Sequence, residues 1–214
     1  MGRVGSSSIG QVLHDNDVAH IHGHWILNEY PVAEFPTTKP NFMRVVKANP
    51  DIKVVTPIRE PLARNISAFF RGLDRYCKDQ RHVTATELQD IFINQYNMKY
   101  PDQWFELELM QMFDFNPFES KFDHKKGYKI YKSGKHRILI IRLEDTERIL
   151  SEALRKLLGI QNARMVKKNE FSTKDNFMSQ LYKEFKSLDF PKDFLTELYQ
   201  LDYARHFYPK SIDT

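Results

Sequence analysis

Two arginines, a run of three serines and a set of alternating histidines carry the chemistry this sequence can offer. Arg3-Val4-Gly5-Ser6-Ser7-Ser8 puts a cation, a glycine and three hydroxyls immediately before the apolar-periodic Ile9-Gly10-Gln11-Val12-Leu13. Gly5 lets the backbone turn tightly against a ligand, and Ser6, Ser7 and Ser8 offer N–H and O–H donors. The helix that follows points its positive end at whatever is bound. Arg3 adds a forked donor suited to phosphate or sulfate oxygens. The pattern reads as an anion cradle. Further on, the β-branched run Lys53–Ile58 ends at Arg59, Pro61 restarts the chain as a helix, and Ser67 follows eight residues after the arginine. Between these stretches His20, His22 and His24 alternate, so an extended backbone projects them to one face. Neutral imidazole is the side chain suited to taking a proton near pH 7.

The loop and the Arg59…Ser67 stretch, in this order and separation, resemble the sulfotransferase family. The resemblance implies that Arg3, Gly5, Ser6, Ser7 and Ser8 hold the 5′-phosphosulfate of 3′-phosphoadenosine 5′-phosphosulfate, and that Arg59 and Ser67 bind its 3′-phosphate. The family's usual basic residue in the first loop is lysine, and Arg3 departs from it. His22-Gly23-His24 is similar to the His-Gly-His of 2-O-sulfotransferases acting on uronic-acid glycans, where these histidines are the proposed proton acceptors. His24 or His22 is therefore expected as the base, with Arg3 and the loop N–H groups stabilising the leaving oxygen. Lys168 and Lys174 lie where the family often closes a basic loop over the 3′-phosphate. The tail Leu198–Tyr208 resembles the ending of bacterial capsular-polysaccharide-type members and is expected to pack back on the sheet. The implied fold is α/β and P-loop-like: three layers with a mainly parallel central sheet flanked by helices.

Other readings attach to the same residues. A P-loop kinase or ATPase would need Gly-Lys-Ser/Thr at the loop's end, for the phosphate lysine and the Mg²⁺ hydroxyl; here Gly5-Ser6-Ser7-Ser8 has no lysine. Two further alternatives are a truncated relative that binds nucleotide or glycan without turnover, and a non-enzymatic glycan-binding module, of which the sequence gives no independent sign. Three alternating histidines could ligate a metal, but no Cys, Asp or further His stands at a recognisable spacing, and no metal is required by the expected chemistry. Trp104-Phe105-Glu106-Leu107-Glu108 brings an indole and two carboxylates close on one helix. Glu106 or Glu108 could orient a histidine or bind an acceptor hydroxyl, and either could sit on a solvated face. Trp25, Tyr30 and Phe35 are candidates for an acceptor cleft or for core.

The elements that must position these groups follow from periodicity. At 214 residues and 41% hydrophobic content the chain suits one α/β domain over 1–214 with a sizeable core. The single cysteine, Cys77, excludes an internal disulfide framework and fits a reducing, cytoplasmic compartment. No run approaches the ~18 apolar residues of a membrane span. A net charge of +4 suits small anionic ligands and an acceptor such as a glycan, and it is too mild for a nucleic-acid surface. Strands are expected at Val18–Gly23, Lys53–Ile58, Tyr128–Tyr131 and Arg137–Leu143, the last two joined through Lys132-Ser133-Gly134-Lys135. Helices are expected at Asn41–Ala48, from Pro61, from Thr84 or Thr86, after Pro101, over Thr146–Leu158 with Gly159 as terminator, and over Ser172–Leu188 and Pro191–Phe207. An anion loop normally follows a buried strand, yet only Met1 and Gly2 precede this one. A further strand encoded upstream is expected, between Val18–Gly23 and Lys53–Ile58.

Overall fold

The computed structural model describes residues 1–24, 39–161, 163–165 and 176–209. In chain order the elements are α1 (Ser6–His14), α2 (Lys39–Ala48), β1 (Lys53–Ile58), α3 (Pro61–Arg71), α4 (Ala85–Gln95) and α5 (Tyr100–Trp104). A π-helical stretch, Phe105–Met110, then leads into α6 (Gln111–Phe113), β2 (Tyr128–Ser133), β3 (His136–Arg142), α7 (Thr146–Leu158), α8 (Asn176–Ser187), α9 (Lys192–Gln200) and α10 (Asp202–Phe207). Two compact units divide the chain, one of Met1–Glu60 with Tyr100–Val166 and one of Pro61–Lys99 with Lys167–Thr214.

The first unit is built on a three-stranded sheet in the order β1-β3-β2 among the described residues. β1 runs parallel to β3, with Lys53 opposite Arg137 and Ile58 opposite Arg142. β2 and β3 form the expected hairpin, Tyr128 opposite Ile141 and Ser133 opposite His136, turned by Gly134 at φ 55°. The sheet is thus mixed, one parallel and one antiparallel pair, rather than mainly parallel. Pro57 sits inside β1, which is tolerable because β1 is an edge strand among the described residues. One sheet face, Tyr128, Leu139 and Ile141, buries against Ile9, Val12 and Leu13 of α1 and Ile149, Leu150, Ala153, Leu154 and Leu157 of α7. Both helices supply these residues at i, i+3, i+4 spacing, so each turns a single apolar stripe to the strands. On the opposite face Phe113 meets His136 and Phe115 meets Tyr131, ring centroids 5.3 and 5.0 Å apart. α7 ends where expected, with Gly159 left-handed at φ 82°.

Val18–Gly23 is not a strand. β-branched alternation permits extended backbone, but a strand needs a ladder partner, and here β1 pairs with β3 instead. The segment follows a Schellman closure of α1: Asp17 is left-handed at φ 54°, its N–H donates to the His14 carbonyl, and the Val18 N–H donates to the Leu13 carbonyl. The chain then doubles back along α1. That reversal places the histidines.

The second unit is helical around an aromatic cluster. Phe69 and Phe70 of α3, Phe92 of α4 and Phe185 of α8 are buried together with Leu73, Leu88 and Leu181. Thr84 starts α4 with a full capping box, its hydroxyl accepting from the Glu87 N–H while the Glu87 carboxylate accepts from the Thr84 N–H. The single helix expected over Pro191–Phe207 is broken at Leu201, which is extended at ψ 146°. The tail, expected on the sheet, is part of this helical unit, where Leu198, Tyr199 and Ala204 pack with Leu62 and Met98.

Candidate active site

The anion loop lies at the carboxyl ends of the two parallel strands, the place where open α/β sheets present ligand sites. Gly5, at φ 80°, is the residue before α1, and a Cβ built on it would come 2.5 Å from Cδ1 of Leu143, just beyond β3. Glycine is needed there on both counts. Gly5 has no side chain with which to cap α1. The Ser8 and Ile9 N–H groups bond the Gly5 carbonyl, whereas those of Ser6 and Ser7 have no partner among the described residues. Two donors at a helix start are therefore left facing outward. Arg3 is also left-handed, at φ 67°, an arrangement costing an L-residue about 1 kcal/mol or more. From the end of β1, Arg59 Nη1 donates to the Arg3 carbonyl at 3.4 Å. Beside it the Glu60 N–H donates to Glu144 Oε1 at 2.8 Å, tying the turn after β1 to the turn after β3.

The segment returning along α1 sets His20 and His22 against successive turns of the helix and carries His24 past its start. His20 Nε2 lies over Gly10, 3.5 Å from where its Cβ would be. His22 Nε2 is 3.0 Å from Ser6 Oγ, and His24 Nδ1 is 3.1 Å from the Met1 carbonyl. Two extended residues and four helical residues both advance about 6 Å, so the two periods match. His22 and His24 meet edge to face at 5.0 Å.

Both imidazoles are held below the ordinary histidine range. His22 is lowered by partial burial, by His20 and by the Met1 ammonium. His24 is lowered to about 4, by burial first and then by the ammonium and His22, against the opposing pull of its bond to the Met1 carbonyl. Each ring still has a solvent-exposed side, so added salt shrinks the charge–charge part of these shifts. At pH 7 both rings are neutral. Since a carbonyl can only accept, His24 Nδ1 carries the proton and Nε2 keeps its lone pair, the tautomer a proton acceptor requires.

α5 and the π-helical stretch reach the same place. Trp104 Nε1 donates to the His24 carbonyl at 2.5 Å, fixing the backbone that carries the imidazole. With i→i+5 bonding, a spacing of four is close to one turn, so Glu108 follows Trp104 on one side of the helix. Glu108 is fully buried and Glu106 is exposed, which separates the two carboxylates the sequence leaves equivalent. The role of Leu143 and Glu144 was not legible in the sequence. They stand just beyond the end of a strand parallel to the one that leads into Arg59.

Arg3, Gly5, Ser6, Ser7, Ser8, His22, His24 and Arg59 thus come together in the first unit. Ser67 belongs to the second, buried within α3. Lys168 and Lys174, like Trp25, Tyr30 and Phe35, lie outside the described residues. A cavity of about 300 Å³ opens in the second unit between Thr84 and Ala85 of the α4 start and Phe177, Leu181 and Glu184 of α8, and no residue of the anion loop lines it. Among the described residues, no helix is long and apolar enough to cross a membrane.

Residues 78–209, well over half of the chain, match the family described as "Putative capsular polysaccharide synthesis protein" (NKWYS). The chain belongs to this family. No curated protein and no solved structure matches it. The capsular polysaccharide synthesis match spans α4 to α10 and includes Trp104, Glu108 and Glu144. The anion loop, the histidines, Arg59 and Ser67 all precede the matched residues, so the family places the chain with polysaccharide synthesis while the loop chemistry stands on geometry and resemblance.

Proposed function

We propose that this chain transfers a sulfuryl group from 3′-phosphoadenosine 5′-phosphosulfate to a hydroxyl of a polysaccharide. The observation that carries the reading is the convergence of three separate stretches at the carboxyl ends of β1 and β3: the left-handed loop opening α1, the neutral histidine pair, and Arg59. The donor supplies the sulfuryl group. Arg3 and the outward N–H groups of Ser6 and Ser7 meet its phosphosulfate and the charge growing on the bridging oxygen. Arg59 takes the 3′-phosphate. His24 Nε2 accepts the acceptor hydroxyl's proton, and His22 holds Ser6 Oγ. Trp104 keeps His24 in place. The family's polysaccharide role supports a glycan acceptor.

The test is donor choice. Adenosine 3′,5′-bisphosphate should raise the melting temperature more than ATP with Mg²⁺ does, through binding to the folded state, and Arg59→Ala should weaken that binding by roughly 1.5–3 kcal/mol. Equal or larger stabilisation by Mg·ATP would favour a kinase, and wild-type affinity in Arg59→Ala would remove the assigned 3′-phosphate site.

A further inference from the structure

The positive charge of this protein is concentrated in one short ribbon. Residues 120–137 hold seven lysines and arginines against one aspartate, a net +6; the chain nets +4, so the rest of the molecule nets −2. The segment is the turn before β2, β2 itself and the hairpin into β3. Three of its cations are engaged internally. Lys129 Nζ donates to Ser120 Oγ at 2.9 Å and the Lys121 carbonyl at 2.6 Å, Lys126 Nζ lies over the Tyr128 ring, and Arg137 Nη2 donates to the Lys156 carbonyl at the end of α7. The other four, Lys121, Lys125, Lys132 and Lys135, are exposed and make no ion pair among the described residues. β2 is an edge of the sheet, and lysines on an edge discourage strand pairing. That accounts for Lys132, but Lys121 and Lys125 precede the strand.

We infer that this ribbon is a docking track for an acidic polysaccharide, one bearing carboxylates or sulfates along its length. The cations are strung along the six residues of β2 and its two flanking turns, about 20 Å of strand. They do not converge on one point, as a small anion would need. A linear polyanion fits such a row, releasing counterions along its length. Nucleic acid is disfavoured because the ribbon's Phe122, Tyr128 and Tyr131 are 1%, 2% and 6% exposed and offer no stacking platform. An anionic membrane is disfavoured because no large apolar side chain is exposed on the ribbon for insertion. The whole ribbon lies within residues 78–209, the part that matches the capsular polysaccharide synthesis family. The inference rests on the polysaccharide part of the proposed function and not on the sulfuryl donor.

The test measures binding of the whole chain to polygalacturonate, a linear glycan with a carboxylate on each sugar, without nucleotide. Neutral dextran, duplex DNA and phosphatidylglycerol vesicles are the comparison arms. Polygalacturonate should bind, more weakly as salt rises, and dextran should not. Replacing Lys121, Lys125, Lys132 and Lys135 together by Ala should weaken binding on the order of tenfold or more at low salt. Removing Lys47, Lys78, Lys183 and Lys192, exposed lysines elsewhere, should change it less than about twofold. In the unaltered protein, bound polygalacturonate should also shield Lys132 and Lys135 from acetylation. The inference fails if polygalacturonate does not bind, if the two quadruple variants lose affinity equally, if DNA or vesicles bind as tightly, or if acetylation is unshielded. Because no donor is present, these outcomes are independent of whether sulfuryl transfer occurs.

Discussion

One sheet face of the first unit and the centre of the second bury different kinds of side chain. In the first, the core against α1 and α7 is aliphatic, with Tyr128 its one aromatic among the buried residues. In the second, four phenylalanines sit at the centre, and Tyr76, Tyr96, Tyr182, Phe190 and Phe194 pack around them. Short, stiff β-branched residues suit a sheet whose strand ends must hold backbone donors in fixed places. Large rings at a helical junction supply buried area with few constraints on the backbone. The contrast divides the labour: unpaired donors, left-handed residues and perturbed histidines all gather in the first unit, and the aromatic centre of the second holds a helical assembly together.

The sharpest break of that division pairs two substitutions. His24→Ala should lower sulfuryl transfer by ~10²–10⁴-fold and leave bisphosphate binding in place, as judged by turnover and calorimetry. Phe92→Ala, which removes a ring within about 6 Å of Phe69, Tyr96, Phe185, Phe190 and Phe194, should cost ~3–5 kcal/mol of stability by thermal or denaturant melt. If Phe92→Ala lowers turnover as much as His24→Ala at temperatures where it stays folded, the division is wrong.

How much of this was legible in the sequence depends on whether a local rule or a distant partner decided the outcome. β1 at Lys53–Ile58, α7 ending before Gly159, the cap at Thr84 and the Gly134 hairpin all follow from propensity, turn chemistry or capping within a few residues. Val18–Gly23 looks like a strand by the same rules and is not one, because pairing depends on which distant segment lies beside it. The histidines nonetheless share a side, since extended backbone alternates with or without a ladder. The glycine turn into α1 was legible, yet its support by Leu143 and Glu144 and the burial of Glu108 were not. These depend on contacts spanning more than 80 residues or on a π-helical register that composition does not announce.

A smaller effect is expected at Gly5. Gly5→Ala must hold a positive φ and displace Leu143, costing ~1–2 kcal/mol of stability, and it should weaken bisphosphate binding more than Arg3→Ala does. Equal melting temperatures for Gly5→Ala and wild type would show that the loop is not held as described.

The pH dependence is gentler still. His24 is held near 4 when folded and returns to about 6.5 when unfolded, so between these values the unfolded chain binds more protons. Stability should therefore rise as pH increases from 4 to 6.5 and level off above, and His24→Ala should flatten that rise in a pH series of melts. Turnover should keep a plateau down to about pH 6 and fall toward pH 4 as the ring protonates. An acid limb unchanged in His22→Ala and centred above pH 7 would assign the base to another group.

The measurement that bears most directly on the central claim is transfer itself. The protein would be incubated with sulfur-labelled 3′-phosphoadenosine 5′-phosphosulfate and an acidic polysaccharide, and the label retained on the polymer followed for wild type and for the His22→Ala, His24→Ala double variant. Label on the polysaccharide with wild type, and at least ~10²-fold less with the double variant, is the result this account predicts. No labelled polymer from any acidic polysaccharide tried, or equal labelling by wild type and double variant, would contradict it.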